Sequence, residues 1–178
     1  MKGVVFNLLE AAVSREYGDD VWDELLESAG VEGAYTSLGS YPDSDLLALV
    51  DAAARKLGRP KSEVLRWFGR AAMPVMAAQY PGFFQDRSTS RDFVLGVNDV
   101  IHAEVRKLYP GADCPNFQMV EDADGALTMA YRSPRRLCAL AEGFVEGVAD
   151  HYGESVSFTH TQCVERGHDC CTFHIAWA

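Results

Sequence analysis

The spacing of apolar residues changes near residue 110, and this change limits the possible folds more than any other feature of the chain. Up to Tyr109 the apolar residues recur at intervals of three and four, as in helices. After Pro110 and Gly111 the stretch "NFQMVEDADGALTMAYRS" alternates around an Asp-Ala-Asp-Gly turn, which predicts a β-hairpin. Helices followed by a small antiparallel sheet predict an α+β domain.

Start and stop signals divide the helical half. Three helices are predicted in "FNLLEAAVSREYG", "DDVWDELLESAGV" and "YPDSDLLALVDAAARKLG". A fourth, "PKSEVLRWFGRAAMPVMAAQYPG", is expected to break or kink at Pro74, and a fifth is "RDFVLGVNDVIHAEVRKLYPG". After the hairpin, the pattern predicts one more helix, "RRLCALAEGFVEGVADHYG", and two strands, "SVSFTHTQC" and "CCTFHIAWA".

Charge and composition exclude several partners. With 178 residues the chain is long enough for one domain with a real core, and its net charge is −10. A nucleic acid or an anionic membrane needs a basic patch, so neither is an expected partner. The apolar start is interrupted by Asn7 and Glu10, and no segment has membrane-spanning length, which predicts a cytoplasmic protein. In that compartment the five cysteines indicate thiols or metal ligands.

His102 is the first candidate functional residue. Two apolar stripes run along its helix: Phe93, Val97, Val100, Ile101 and Leu108 in one, and Val94, Leu95, Val105 and Tyr109 in the other, beside His102. A helix that is apolar on two sides is expected to be buried on both, and a buried imidazole needs a partner. This helix alone favours a core histidine bonded to a carbonyl; the alternative is an axial ligand to haem iron.

Three polar residues stand at alternate positions where the hairpin ends. Tyr131, Ser133 and Arg135 would point the same way if the segment were extended. Together they suit a carboxylate or a phosphate, such as the two propionates of a haem. The alternative is an ordinary strand end with a surface arginine.

The combination of "MKGVVFNLLEAAV", "NDVIHAEVRKLYPGADCPNF" and "YRSPRRL" resembles the haem–nitric oxide/oxygen binding (H-NOX) family, which includes the haem domain of soluble guanylate cyclase. The resemblance covers the whole chain and implies a single stand-alone domain, residues 1–178. It implies a helical distal subdomain of about 1–62 and a haem-ligating subdomain of about 63–178, with haem b buried between them. His102 would be the proximal iron ligand, and Tyr131, Ser133 and Arg135 would bind the propionates. Pro115 matches the family proline that packs against the porphyrin and distorts it.

The resemblance also predicts which gas is bound. Family members that hold oxygen stably have a distal tyrosine on the helix after the Y-x-S-x-R motif, and Leu140 stands at that position here. Val5, Leu9 and Phe144 are expected to complete an apolar wall that gives bound oxygen no hydrogen bond. We therefore expect a nitric oxide sensor that excludes oxygen and still binds carbon monoxide. Release of His102 would signal to a separate enzyme, a histidine kinase or a cyclic-di-GMP enzyme.

The segment "HTQCVERGHDCC" provides a second candidate site. Cys138, His160, Cys163 and Cys171 form the best tetrahedral zinc quartet, and a subset of bacterial H-NOX domains resembles this chain in carrying such a site. His168 and Cys170 are alternative ligands. Cys114 lies apart from the cluster. The simpler interpretation is a set of buried cysteines in a small sheet.

Two other function classes compete with the gas sensor. One is a cysteine and zinc redox sensor on the same fold. The other is an enzyme such as a haem oxygenase or peroxidase, which an apolar pocket without an acid–base pair disfavours. We therefore expect that this domain is not an enzyme.

Overall fold

The computed structural model describes residues 1–123 and 125–178, and within them the prediction of an α+β fold is confirmed. Seven α-helices and four strands follow one another along the chain. The helices and strands are α1 (Gly3–Tyr17), α2 (Asp19–Ala29), α3 (Asp43–Leu57), α4 (Lys61–Gln79), α5 (Ser90–Leu95), α6 (His102–Leu108), β1 (Asn116–Glu121), β2 (Leu127–Arg132), α7 (Cys138–Tyr152), β3 (Val156–Gln162) and β4 (Cys171–Trp177). A π-helical turn, Val97–Ile101, lies directly before α6, and we call it the π turn.

The amino-terminal helices end where the sequence signals indicate. Gly30 after α2 and Gly58 after α3 adopt left-handed backbone conformations, which glycine reaches at little cost. Both helices begin with aspartates, whose charges suit the positive end of the helix dipole. Phe6, Leu46 and Phe68 are completely buried where α1, α3 and α4 meet, and they form the centre of the amino-terminal core.

The sequence predicts a break or a kink at Pro74, and the break is wrong, because α4 continues through Pro74 to Gln79. A proline removes one backbone hydrogen bond but does not end a helix that is held along its length. Here α4 lies against α7 so closely that a Cβ atom at Gly143 would overlap the Arg66 carbonyl oxygen. Ion pairs from Arg66 to Glu142 and from Arg70 to Asp150 border the same contact. Packing on α7 therefore outweighs the local cost of the proline.

The fifth predicted helix differs from the expected one in two ways. The π turn separates α5 from α6, and Val100 and Leu108 are 46% and 49% exposed, so burial on two sides is wrong for these residues. A π turn contains an extra residue per turn. The extra residue rotates all the following side chains about the helix axis. Apolar stripes assigned with a constant helical period therefore do not match the faces of α6 in the structure.

The sheet has the order β1-β2-β4-β3, and all its neighbouring strands are antiparallel. Tyr131 on β2 pairs with Phe117 on one side and with Cys171 on the other. The inward residues of the two central strands, Leu127, Met129, Tyr131, Cys171, Phe173 and Ile175, are all buried. The first hairpin turns at Asp122, Ala123 and Gly125, while Asp124 of the predicted turn lies outside the described residues. Within the described ranges, no helix is both long and apolar enough to cross a membrane.

Candidate functional site

A cavity of about 430 Å³ lies among the amino-terminal helices, the segment of α5, the π turn and α6, and the inner face of the sheet. Its volume is in the range of small-molecule and cofactor sites, which are mostly apolar with a few polar groups. Apolar residues that line it include Met1, Val4, Val5, Leu8, Met73, Met76, Phe83, Phe93, Val94, Val97, Ile101, Val105, Phe117, Met119, Met129, Leu137, Leu140, Ala141, Phe144, Val145 and Val148. The position of this cavity between helices and sheet makes it the main candidate site.

His102, the first residue of α6, lines this cavity. Its Nδ1 atom is buried and has no hydrogen-bond partner among the described residues. Burial and, second, the nearby Arg106 guanidinium lower the pKa of His102 to about 4, against the opposing effect of the Pro115 backbone. The ring lies against that of Phe117, with 5.8 Å between ring centroids and 26° between the planes. At neutral pH the imidazole is therefore uncharged and can offer a nitrogen lone pair to a metal.

Tyr131, Ser133 and Arg135 line the same cavity, but not on an extended strand. Only Tyr131 belongs to β2, and the chain then turns, with Arg136 in a left-handed conformation at a φ of 54°. The Ser133 hydroxyl oxygen accepts a hydrogen bond of 3.2 Å from the Arg135 backbone N–H. The expected extended geometry is therefore wrong beyond β2, because this hydrogen-bonded turn intervenes. The turn nevertheless keeps all three polar side chains at the cavity.

Arg135 also joins distant parts of the chain. Its Nε donates to Asp43 Oδ2 at 2.8 Å, and its Nη1 donates to Asp113 Oδ2 at 3.1 Å. Asp43 in addition accepts a 2.7 Å hydrogen bond from the Met1 amino group. Burial alone would raise the pKa of Asp43, but the amino terminus and Arg135 outweigh it and hold this pKa below its usual value. Asp43 thus links α1 and α3 to the turn after β2.

All but one of the residues expected at the gas or the porphyrin line the cavity. Val5, Leu140, Phe144 and Pro115 line the cavity. Leu9 does not, since it packs in the amino-terminal core, and Leu8 lines the cavity instead. Val4 and Leu8 are four residues apart and share the helix face that lines the cavity, whereas residue 9 is turned about 100° from residue 8 and lies beyond Val5 at the edge of that face. The family resemblance therefore identified a helix that lines the cavity, but Leu9 lies outside the lining.

Several cavity residues had no signal in the sequence. Met73 and Met76 come from α4, whose apolar pattern predicted only core packing. Tyr80 and Tyr109 also line the cavity, and their hydroxyl oxygens lie 2.6 Å apart in a hydrogen bond. Burial and then Tyr80 raise the pKa of Tyr109 to about 12, so the Tyr109 phenol is neutral near pH 7. Tyr152 takes no part in the cavity lining, and its hydroxyl donates to the Phe84 carbonyl at 3.0 Å.

The four predicted metal ligands come together in a second site. One ligand atom from each of Cys138, His160, Cys163 and Cys171 lies within 4.8 Å of all the others. The Nε2 atom of His160 is buried without a hydrogen-bond partner in the described part of the chain. Such an atom and three neighbouring sulfurs form a donor set that zinc prefers.

The acid–base properties of the cluster differ from thiol to thiol. Burial raises the pKa of Cys138 and of Cys171. Burial also opposes the ionisation of Cys163, but hydrogen bonds from the Glu165 backbone and the neighbouring thiols hold its pKa below the usual value. Cys163 is therefore the thiol that ionises first.

The two alternative ligands are engaged elsewhere. The sulfur of Cys170 lies 3.7 Å from the Thr172 hydroxyl oxygen, and Nδ1 of His168 lies 3.3 Å from the Cys163 backbone nitrogen. Neither belongs to the group of four. Cys114 lies at the large cavity, so it too is separate from the cluster.

Comparison with known proteins agrees with this arrangement. A family model described as Haem-NO-binding matches residues 2–160. The chain is 26% identical over 155 residues to soluble guanylate cyclase gcy-34 from Caenorhabditis elegans, a match that covers 84% of this chain and 23% of that protein. The chain therefore spans about a quarter of the length of this relative.

Two solved structures share the fold over nearly their full lengths. An H-NOX protein from S. oneidensis in the Fe(II)NO ligation state superposes with a TM-score of 0.94 at 34% identity, covering 100% of this chain and 99% of that one. The Fe(II) unliganded H-NOX protein from K. algicida superposes with a TM-score of 0.87 at 26% identity, covering 100% and 97%. This fold and family are those of a haem-binding gas-sensor domain, which is not itself catalytic. The chain belongs to the haem–NO-binding family and is an H-NOX domain related to the haem domain of soluble guanylate cyclase.

Proposed function

We propose that the domain holds haem b in the large cavity, with His102 as the proximal ligand to iron. The observation that carries this proposal is an uncharged imidazole in the wall of a mostly apolar cavity, whose buried Nδ1 atom has no hydrogen-bond partner among the described residues. A neutral histidine nitrogen is the usual protein ligand of haem iron. Pro115 lines the same cavity and would pack against the porphyrin.

Tyr131, Ser133 and Arg135 would hold the haem propionates. Burying two carboxylates requires charged or strong hydrogen-bond donors, and a guanidinium provides five N–H groups in a fork. Two nitrogens of Arg135 are already bonded to Asp43 and Asp113, so the propionate would share this cation with them. We also propose the division at about residue 62 that the family resemblance implies, with Asp43 before it and Arg135 after it.

The ligand we propose is nitric oxide, with oxygen excluded and carbon monoxide still bound. Ferrous haem supplies the metal that binds these gases. Leu140, Phe144 and Val5 provide contacts but no hydrogen-bond donor at the wall where family members that hold oxygen carry a tyrosine. Bound oxygen takes negative charge from the metal and needs such a donor, whereas nitric oxide binds strongly without one.

The output we propose is release of His102 from iron, which frees α6 to move relative to the sheet. H-NOX domains communicate with signalling partners. For this chain we propose an enzyme in trans, a histidine kinase or a cyclic-di-GMP enzyme. A ligand that weakens the bond to His102 would shift the domain between two conformations.

The test is the absorption spectrum of the purified ferrous protein under argon, in air and with nitric oxide. We expect a haem Soret band that air leaves unchanged and that nitric oxide shifts to the position of a five-coordinate complex. His102→Gly should lose the haem unless imidazole is added, while His151→Ala, a change at an exposed histidine outside the cavity, should keep it. A protein without a Soret band, or one with a stable oxygen complex, would contradict the proposal.

A second candidate function is a cysteine and zinc redox sensor on the same fold. It is favoured by the convergence of Cys138, His160, Cys163 and Cys171 and by the buried, unpaired Nε2 of His160. Oxidation of the thiolates would remove metal ligands and alter the end of the sheet beside α7. The two functions are compatible, because the cluster and the cavity use different residues.

Metal analysis separates this candidate from simple burial of cysteines. We expect about one zinc ion per chain in the wild type and a large loss in Cys163→Ser. Cys170→Ser is the matched control, since Cys170 is also buried in the same hairpin but lies outside the quartet. Equal zinc content in the wild type and Cys163→Ser would exclude this site.

A further inference from the structure

Asn98 connects the π turn to the edge strand of the sheet. Its Nδ2 donates to the Phe117 carbonyl, and the Phe117 N–H donates to its Oδ1 at 3.3 Å. β1 is the first strand in the sheet order and, among the described residues, pairs only with β2, so its outer backbone groups face no strand there. A single amide side chain supplies both a donor and an acceptor to one residue of this edge, as a neighbouring strand would.

The residue held in this way also contacts His102. The Phe117 ring lies against the His102 ring at a centroid distance of 5.8 Å. Asn98 precedes His102 by four residues, so the chain from 98 to 102 and the two contacts with Phe117 form a closed loop. The position of the His102 imidazole is thus fixed relative to β1 both through the backbone and through the rings.

The attachment through Asn98 stabilises the geometry of the π turn. The Ile101 N–H donates to the Gly96 carbonyl at 3.3 Å and the His102 N–H donates to the Val97 carbonyl, each five residues back. If the turn tightened to α-helical geometry, it would displace one residue and rotate the following helix by about 100°. Asn98 lies inside the turn, and its two bonds to β1 oppose such a change.

The other end of the same helix is also held. Tyr109, directly after α6, is hydrogen-bonded to Tyr80 beyond the end of α4. With this end retained, loss of the Asn98 contact would move mainly the amino-terminal end of α6. That end carries His102.

We propose that Asn98 is a positioning residue that fixes the His102 imidazole to the sheet edge and thereby promotes its release when a gas binds. This inference rests on the proposed role of His102 as iron ligand. If His102 held haem iron, an imidazole fixed by the protein would resist displacement, and its bond to the metal would be weakened when a gas binds. An imidazole on an unattached turn would instead adjust its position and remain bound.

The experiment compares the wild type, Asn98→Ala and Asp99→Ala as haem-loaded proteins. Asp99 is the exposed neighbour on the same turn and serves as the control. In Asn98→Ala the Phe117 N–H loses its hydrogen bond to the side chain of residue 98. This bond is worth about 1 kcal/mol, so amide hydrogen exchange at Phe117 should speed up about fivefold. The iron–histidine stretching band should move to higher frequency, and formation of the five-coordinate nitric oxide complex should slow about fivefold. Asp99→Ala should match the wild type in all three.

A conservative variant keeps the test decisive if Asn98→Ala loses haem. Asn98→Asp retains the acceptor for the Phe117 N–H but loses the donor to the Phe117 carbonyl. We expect Asn98→Asp to change the exchange rate at Phe117, the stretching band and the release rate in the same direction as Asn98→Ala, but by a smaller amount.

Two results would overturn the inference. Faster exchange at Phe117 with an unchanged stretching band and release rate would make Asn98 merely structural. Unchanged exchange at Phe117 would mean that the contact is not maintained in solution. Failure of the proposed function would look different, because the wild type itself would then lack an iron–histidine band.

Discussion

Leu140 is the residue on which the proposed gas selectivity depends most directly. It is buried, it lines the cavity together with Phe144 and Val5, and it carries no hydrogen-bond donor. A single hydroxyl placed here would be desolvated, where a hydrogen bond to a partly negative ligand is stronger than in water. In the proposed sensor, selectivity against oxygen would therefore be sensitive to the side chain at position 140.

We expect Leu140→Tyr to form an oxygen complex in air that the wild type does not form. The new phenol would donate to bound oxygen, a hydrogen bond worth about 1–3 kcal/mol and thus about a 5- to 150-fold gain in oxygen affinity. Oxygen titration followed by absorption spectroscopy measures this gain. Leu140→Phe adds the ring without the hydroxyl and should form no oxygen complex. Equal oxygen binding by the two variants would show that ring size, and not the hydrogen-bond donor, controls selectivity.

Helices α4 and α7 pack against each other, and this contact joins the helical part of the chain before residue 110 to the part that forms the sheet. Gly143 allows the backbones to touch, and Gly147 does the same one turn later, where a Cβ atom would lie 2.7 Å from the Arg70 carbonyl oxygen. Leu140 and Phe144 project from α7 into the cavity, while Met73 and Met76 project from α4. The spacing of these two helices therefore sets the dimensions of the proposed gas pocket.

Gly143→Ala should destabilise the domain by about 1–3 kcal/mol, because the new methyl group meets backbone atoms that cannot rotate away. Alanine favours helix over glycine by up to about 1 kcal/mol, so any net loss understates the steric cost. Urea unfolding gives the value. Gly82→Ala is the control, since a Cβ atom there has no neighbour within 4 Å and should leave the midpoint nearly unchanged. A Gly143→Ala protein as stable as the wild type would mean that the helices can separate freely.

Across the whole molecule, Asp43 connects the amino-terminal helices to the segment that carries the proposed propionate ligands. It is bonded to the Met1 amino group and to Arg135, and Arg135 is bonded in turn to Asp113. The Asp43 side chain is 41% exposed, so solvent screens these ion pairs and each contributes only about 0–1 kcal/mol. Their main effect is to fix the relative position of α3 and the turn after β2.

This arrangement predicts a pH dependence of stability. A carboxyl whose pKa is lowered by folding stabilises the fold above its ordinary pKa of about 4, and this contribution is lost as the pH falls through the lowered value. Asp43→Asn should therefore be less stable than the wild type at pH 7 by at most about 1 kcal/mol, and the difference should disappear on acidification. Thermal unfolding between about pH 7 and pH 2 measures it. Asp45→Asn, which removes a charge from the same helix turn, should show no comparable convergence with the wild type.

Local patterns in the sequence determined the α+β class and the end of α3 at Gly58. They suffice there because helical period, strand alternation and end signals act between residues close in the chain. The exposure of Val100 and Leu108 and the continuity of α4 through Pro74 did not follow from them. An extra residue in a helical turn and the close packing of another helix are not encoded in the period of one segment.

The cavity itself was decided only by tertiary structure. The family resemblance supplied His102, Tyr131, Ser133 and Arg135 as candidates, but nothing in the sequence placed Leu8 rather than Leu9 on the wall or joined Tyr80 to Tyr109. The same holds for Asn98, whose partner Phe117 is 19 residues away. Contacts between residues far apart in the chain depend on how packed elements are rotated and spaced, and a one-residue difference in phase changes which side chain reaches the site.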